Sequence, residues 1–249
     1  MSKNRLIRKI TSGFFVNSSR KYLRDFADEA ANSLPAGSMV LDAGAGDCIY
    51  KELFDEMNYE SADFCQVEKP YADITHICDL SDIPVEDNRY DLILCSQVLE
   101  HLPDPKKVLL ELNRVLKPDG RLWLSAPFYY EEHEQPYDFY RYTQFGFKEL
   151  LSKTGFTIEK IGWLEGYFGT LAYQFKSMAI SLPLSPSKYK GFFFKLSGPL
   201  LAFILKIGAL FLSFYYGNAD LRKKHTDSGY CKNYSLVARI SNTNETTQV

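Results

Sequence analysis

Segments typical of strands and helices take turns along residues 20–126, and this order constrains the fold more than any other feature. Apolar runs that do not alternate with polar residues predict strands near residues 38–42, 59–64, 90–95 and 121–126. Apolar residues at helical spacing predict helices near residues 20–33, 48–57 and 104–116. Strands without alternation are typical of a parallel sheet that is covered on both faces. We therefore expect an α/β fold with helices on both faces of a mostly parallel sheet.

The second half of the chain adds elements of a different kind. A helix is predicted from Thr143, which suits an N-cap, to Gly155, and a strand follows at 156–166. Two apolar stretches, 168–182 and 198–217, predict a helical hairpin inserted before a last strand at 229–240. We expect five segments: a basic N-terminal arm (1–19), a core (20–167), an apolar helical insertion (168–217), a closing strand of the core (218–240) and a disordered tail (241–249).

Composition excludes several classes of protein. The 29 Lys and Arg against 31 Asp and Glu give a net charge of −2, so the basic surface of a nucleic-acid-binding protein is missing. The five cysteines form no C-x-x-C pair, which favours reduced thiols over a zinc or disulfide framework. The basic N-terminus has no apolar h-region, so we do not interpret it as a secretory signal. These features together predict a cytoplasmic protein.

The strongest local motif is a strand that turns through glycines into the next segment, Val40-Leu-Asp42-Ala-Gly44-Ala-Gly46. Glycines at such a turn let a ligand approach the backbone closely. A dinucleotide-binding loop would have a third glycine three residues after Gly46, where this chain has Ile49. The loop therefore favours a ligand without phosphates.

On these residues the chain resembles the class I S-adenosylmethionine-dependent methyltransferases, of the methyltransferase-11 type. The family's D-x-G-x-G-x-G loop falls on Asp42, Gly44 and Gly46, with Cys48 in place of the third glycine. Further landmarks are Cys78-Asp79-Leu80, the run from Asp87 to His101, and the turn from Leu116 to Gly120. The resemblance implies a Rossmann-like sheet of seven strands, the last antiparallel, and S-adenosyl-L-methionine as cofactor. It places the cofactor on Asp42, Gly44, Gly46, Asp63, Asp79, Leu80, Cys95 and Gln97.

The acid that would hold the ribose hydroxyls has two candidates. The spacing favours Asp63 at the end of the second strand, and Glu68 is the alternative because the loop after it has no landmark. An acid is needed because carboxylate oxygens accept from two vicinal hydroxyls.

Acceptor chemistry is expected from the ends of the fourth and fifth strands. The loop from Glu131 to Arg141 resembles the H-x-x-P-x-D-x-x-R loop of methyltransferases that act on cell-surface glycans and secondary metabolites. His133 is the preferred general base, with Asp138 orienting it, and His101 is the second candidate. The structural alternatives are an Asp138–Arg141 salt bridge beside an exposed His133, and a His101 that only caps or packs. No metal is expected.

The apolar hairpin bears on the acceptor and on location. Residues 199–216 are long enough for a membrane span, but Lys206 at their centre favours a hairpin on a membrane surface or a lid over the cleft. The first hypothesis is O-methylation of a sugar or lipid-linked glycan hydroxyl. The alternatives are methylation of a quinone, polyketide or other small apolar metabolite, and a non-catalytic membrane-associated module. We expect no nucleic acid partner. We expect peripheral contact with the inner face of the membrane through residues 199–216, and we leave the oligomeric state open.

Overall fold

The fold is taken from a computed structural model, which describes residues 18–66 and 71–241. Among these residues the structure has five α-helices, which are α1 (Ser18–Asn32), α2 (Pro105–Val115), α3 (Gln144–Ser152), α4 (Tyr167–Ser181) and α5 (Phe192–Arg222). The strands are β1 (Met39–Ala43), β2 (Asn58–Asp63), β3 (His76–Ile77), β4 (Tyr90–Ser96), β5 (Leu116–Pro127), β6 (Phe156–Trp163) and β7 (Asn233–Ile240). Most of the predicted arm and tail lie outside the described residues, as does Glu68.

The strands form one sheet of seven in the order β3-β2-β1-β4-β5-β7-β6. The five strands from β3 to β5 in this order pair in parallel with their neighbours, and β7 runs antiparallel to both β5 and β6. The predicted seven-stranded Rossmann-like sheet with an antiparallel last strand is confirmed. The order reverses between β1 and β4, which is where sheets of this type bind ligands beyond the carboxyl ends of the strands.

The chain divides into two compact units. The sheet unit comprises Tyr22–Leu164 and 233–241, and the hairpin unit comprises 18–21 and Glu165–Lys232. In the sheet unit, Phe26 of α1 packs on Trp123 of β5 with ring centres 5.0 Å apart. Large apolar side chains fill this core, including Tyr90, Phe54, Phe147, Leu92 and Leu109. The hairpin unit consists mainly of α4 and α5, which pack on one another. Its role as a lid stays a prediction.

Two local expectations were wrong. The helix predicted near 48–57 is only a short 3-10 helix, Lys51–Phe54. Gly46 and Cys48 before it have positive φ angles of 56° and 53°, which a right-handed helix does not accommodate. The turn predicted at Leu116–Gly120, before the fifth strand, is part of β5. The pairing of β4 with β5 shifts in register there, between the pairs Tyr90–Leu116 and Leu92–Arg121. Here the fifth strand begins before the glycine that was expected to precede it.

Among the described residues, one helix could cross a membrane by its length and composition. This helix is α5, and 22% of its most apolar window is buried inside the protein. Most of its apolar surface therefore faces away from the protein.

Candidate active site

A cleft of about 560 Å³ lies at the carboxyl ends of the central strands of the sheet unit. Gly44 follows β1, Asp63 ends β2, Asp79 and Leu80 follow β3, and Gln97 follows β4; all five line the cleft. They meet because parallel strands end at the same edge of a sheet. Five of the eight residues predicted to hold a cofactor are therefore brought together on one wall.

The glycine loop is shaped by steric contact as well as by its φ angles. Gly44 has a φ of +80°, and a Cβ atom there would lie 2.4 Å from Cγ2 of Val98. No other residue type fits this position without moving Val98, which itself lines the cleft. Gly46 donates its backbone N–H to Oδ2 of Asp63 at 3.0 Å. This hydrogen bond joins the loop after β1 to the end of β2.

Asp63 is placed as its predicted role requires. Its carboxylate is buried but lines the cleft, and Oδ1 accepts from the backbone N–H of Cys65 at 3.0 Å. With the bond from Gly46, each oxygen accepts one hydrogen bond from the protein. An ionised carboxylate has about four acceptor positions, so each oxygen retains capacity for a hydroxyl donor.

Three predicted cofactor residues do not line the cleft, namely Asp42, Gly46 and Cys95. Asp42 is buried in β1 and accepts from the hydroxyl of Tyr59 at 2.7 Å; burial raises the pKa of Asp42 to about 6. Cys95 is fully buried in β4, between β1 and β5, and burial raises the pKa of its thiol. The interpretation of Cys95 as a cofactor contact is corrected, because a central strand covered on both faces offers no ligand access there.

His101 is the histidine that lines the cleft. Its Nδ1 is bonded to the carbonyl oxygen of Tyr137, and because a carbonyl only accepts, Nδ1 must carry the proton. Nε2 is then the acceptor nitrogen of the neutral ring. Burial lowers the pKa of His101, which keeps the ring neutral near pH 7. This nitrogen lies 3.7 Å from Oε1 of Glu100. The unprotonated nitrogen of a neutral imidazole can act as a general base.

His133 lies behind His101 and does not line the cleft. The two rings meet edge to face with centres 4.7 Å apart. Asp138 forms a two-pronged salt bridge with Arg141 at 2.7 and 2.8 Å, which is the structural alternative given for this loop, and it also accepts from the backbone N–H of His133. The Arg141 guanidinium holds the pKa of Asp138 well below its usual range. Asp138 therefore fixes the loop in position, and the histidine presented to the cleft is His101.

The sequence did not single out Glu100. Its side chain is fully buried, and neither carboxylate oxygen has a hydrogen-bond partner. Burial raises the pKa of Glu100 to about 8. Its backbone carbonyl accepts from the N–H groups of Phe139 and Tyr140, so it also anchors the loop. An acid between Leu99 and His101 in the apolar context Val-Leu-Glu-His-Leu is the one signal that could have marked it.

One ligand atom each from Glu100, His101 and His133 lie within 4.8 Å of one another, which is close enough to share a metal ion. The expectation that no metal is needed stays a prediction.

Apolar and aromatic residues form the rest of the cleft wall. Phe64 and Tyr137 meet edge to face at 5.6 Å, and Leu102, Val108 and Phe139 lie beside them. Asp104, Lys107 and Glu134 are the charged residues on this side. The acceptor side is therefore suited to a compact, partly apolar molecule with few polar groups.

Residues 16–161 match the model of a methyltransferase domain family. The chain is 29% identical over 121 residues to the ubiquinone biosynthesis O-methyltransferase of Actinobacillus pleuropneumoniae, covering 41% of this chain and 50% of the relative. Its counterpart in Acinetobacter baylyi is 28% identical over 116 residues, covering 41% and 48%. The chain thus spans about half the length of the curated relatives it matches.

A solved structure is similar over more of the chain. It is the 1,6-didemethyltoxoflavin-N1-methyltransferase of Burkholderia thailandensis with bound 1,6-didemethyltoxoflavin and S-adenosylhomocysteine. Its TM-score is 0.53 at 17% identity, covering 89% of this chain and 79% of that one. At this identity the similarity supports the fold.

Proposed function

The chain belongs to the class I S-adenosylmethionine-dependent methyltransferases, and from this membership we propose that it methylates a hydroxyl oxygen of a small, partly apolar acceptor, such as a quinone precursor. The observation that carries the proposal is the position of His101, whose Nδ1 is bonded to the carbonyl of Tyr137, in the same cleft as Gly44 and Asp63. The names of the relatives support the choice of acceptor.

The residues present fit the cofactor. The backbone at Gly44 leaves no room for a side chain, and Asp63 has acceptor capacity for the two ribose hydroxyls. Asp79 and Leu80 lie in the same wall for the adenine end. When bound, S-adenosyl-L-methionine supplies an electrophilic methyl group on a positively charged sulfur.

The chain's own contribution is to orient the acceptor, exclude water and accept one proton. Phe64, Tyr137 and Phe139 surround the acceptor with apolar surface. Nε2 of His101 takes the hydroxyl proton as the oxygen becomes methylated, and the ring becomes a cation. The nearby charges of Glu134 and Asp138 favour the protonated ring. These acids therefore stabilise the charge that forms during the reaction.

A glycan acceptor is the weaker hypothesis on these observations. Sugars present many hydroxyls, and each would need a polar partner in the site. The acceptor side of the cleft offers mainly aromatic and aliphatic groups. A phenol or hydroxyquinone needs one base and a flat apolar surface, which this wall supplies.

The test is methyl transfer from labelled cofactor to a panel of catechols, hydroxyquinones and sugars. His101→Gln should lower kcat by about 10²- to 10⁴-fold and remove the fall in kcat on the acidic side of the pH profile, which protonation of the imidazole causes. His225→Gln, in the hairpin unit, is the matched control and should leave kcat unchanged. Activity should survive a chelator.

Three results would contradict the proposal. Tight cofactor binding without turnover on any acceptor would favour the non-catalytic module, and methylation confined to sugars would restore the glycan hypothesis. Loss of activity in a chelator, restored by magnesium or zinc, would move Glu100, His101 and His133 into a metal site.

A further inference from the structure

The outer surface of α5 carries a continuous stripe of large apolar side chains. The stripe consists of Phe193, Leu196, Leu200, Phe203, Ile207 and Phe211, each more than half exposed. Their spacing of three or four residues places them on one side of the helix. A soluble protein rarely exposes so large a contiguous apolar surface without a partner that covers it.

The inner face of the same helix has the opposite character. Its buried residues are small or polar: Gly198, Ala202, Ala209, Ser213, Gly217 and Asp220. Ser213 donates its hydroxyl to the carbonyl of Ala172 in α4 at 2.8 Å, which shows how closely the two helices approach. In a water-soluble protein the large apolar residues lie between the helices, whereas here small residues lie between them and large apolar residues lie outside. This arrangement is typical of helices packed in lipid.

The charge of the hairpin points to the chemistry of the surface that covers it. Residues 167–219 contain five lysines and no Asp or Glu, although the whole chain has a net charge of −2. The lysines are Lys176, Lys188, Lys190, Lys195 and Lys206. A cationic surface beside an apolar stripe is complementary to anionic lipid headgroups above an acyl layer.

The position of Lys206 decides between lying on a membrane and crossing it. Lys206 is half-buried near the middle of the 31-residue α5, where a crossing helix would place it in the centre of the bilayer. Charged residues there are strongly disfavoured. In a helix parallel to the surface, the lysine stems lie along the apolar face while their ammonium groups reach the headgroups.

We propose that the hairpin of α4 and α5 docks on an anionic lipid bilayer, with the stripe in the headgroup–acyl boundary and α5 parallel to the surface. This proposal is independent of the reaction assigned to the cleft. It makes the protein a peripheral membrane protein, held by one unit while the cleft lies in the other.

The experiment is flotation of the full chain with vesicles of phosphatidylcholine alone or mixed with phosphatidylglycerol. We expect binding to the mixed vesicles, little binding to the neutral ones, and release by high salt or alkaline carbonate. The double variant Phe203→Gln and Phe211→Gln should weaken binding at least about tenfold. Replacing Lys188, Lys190 and Lys195 by Gln should weaken binding to the mixed vesicles alone.

Phe145→Gln is the matched control, because Phe145 is equally exposed but lies on α3 of the sheet unit. It should leave vesicle binding unchanged, and circular dichroism should show that each variant retains its helix content. No flotation of the wild-type chain would overturn the proposal, as would equal binding to both vesicle types. Retention after carbonate would indicate a crossing helix, and a dimer that does not float would indicate that a second copy covers the stripe.

Discussion

The two units of this chain differ in where they place large apolar residues: the sheet unit buries them, and the hairpin unit exposes them. In the sheet unit Phe54, Tyr90 and Phe147 are fully buried, whereas in the hairpin unit Phe193 and Phe203 are exposed. The hairpin buries glycine, alanine and serine instead. The sheet unit is stabilised in water because its large apolar side chains are buried. The exposed apolar side chains of the hairpin can be removed from water only by an apolar surface outside the chain.

The chemistry follows the same division. Every residue that lines the cleft belongs to the sheet unit, and the family match ends at residue 161, before the main segment of the hairpin unit, Glu165–Lys232. The sheet unit therefore carries the cleft and nearly all of the family match, whereas the hairpin unit adds an exposed apolar surface outside both. Three measurements test this division.

The largest effect is expected from truncating one buried and one exposed phenylalanine. Phe147→Ala should lower the free energy of unfolding by about 3–5 kcal/mol, because it leaves a cavity in the core of the sheet unit. Phe203→Ala should change it by less than about 0.5 kcal/mol, because the ring is already exposed. Urea denaturation followed by circular dichroism gives both values. A large loss in Phe203→Ala without lipid would show that the hairpin is part of a water-soluble core.

A smaller effect is expected on cofactor affinity. Asp63→Ala should weaken binding of S-adenosylhomocysteine by about 5- to 150-fold, because it leaves hydroxyl donors unpaired. Calorimetry measures the change, with the exposed Asp55→Ala as the matched control. The hairpin double variant Phe203→Gln and Phe211→Gln should bind the cofactor like the wild-type chain. If affinity is unchanged in Asp63→Ala, the ribose role passes to Glu68.

The smallest effect is a change in how stability depends on pH. Glu100 has a pKa of about 8 in the fold against an ordinary 4.5, so its neutral form stabilises the fold fully below pH 4.5. That contribution is lost as the pH rises through 8, because the buried carboxyl must then ionise.

Glu100→Gln should therefore reduce the fall in the free energy of unfolding between about pH 5 and about pH 9. Urea titrations at several pH values test this, with the exposed Glu149→Gln as control. Parallel pH curves for the wild-type chain and Glu100→Gln would show that Glu100 is not buried in its neutral form.

Several features of the molecule could be predicted from local sequence. Thr143 accepts from the N–H of Gly146 and caps α3 as expected. Gly44 has the positive φ angle that its place after β1 suggested. Both follow from the conformational limits of single residues, so a short segment of sequence contains all the information that is needed.

The helix predicted near 48–57 shows where local patterns fail. Its apolar spacing was helical, but the backbone is set by Cys48 in a left-handed conformation and by Phe54, which is buried in the core. A contact in the core outweighs the preference of a short segment for helix.

Local sequence is sufficient to predict the order of strands and helices, the glycine loop and the apolar character of the hairpin, because neighbouring residues encode each of them. Three outcomes depend on the tertiary structure: His101 and not His133 lines the cleft, Cys95 is shielded in a central strand, and the Glu100 carboxyl is buried without a hydrogen-bond partner. The surroundings of His101 and Glu100 include the loop after β5, which bonds to the backbone of Glu100 from nearly forty positions away in sequence. Burial and pKa are properties of what surrounds a side chain, and for these residues the surroundings come from distant parts of the chain.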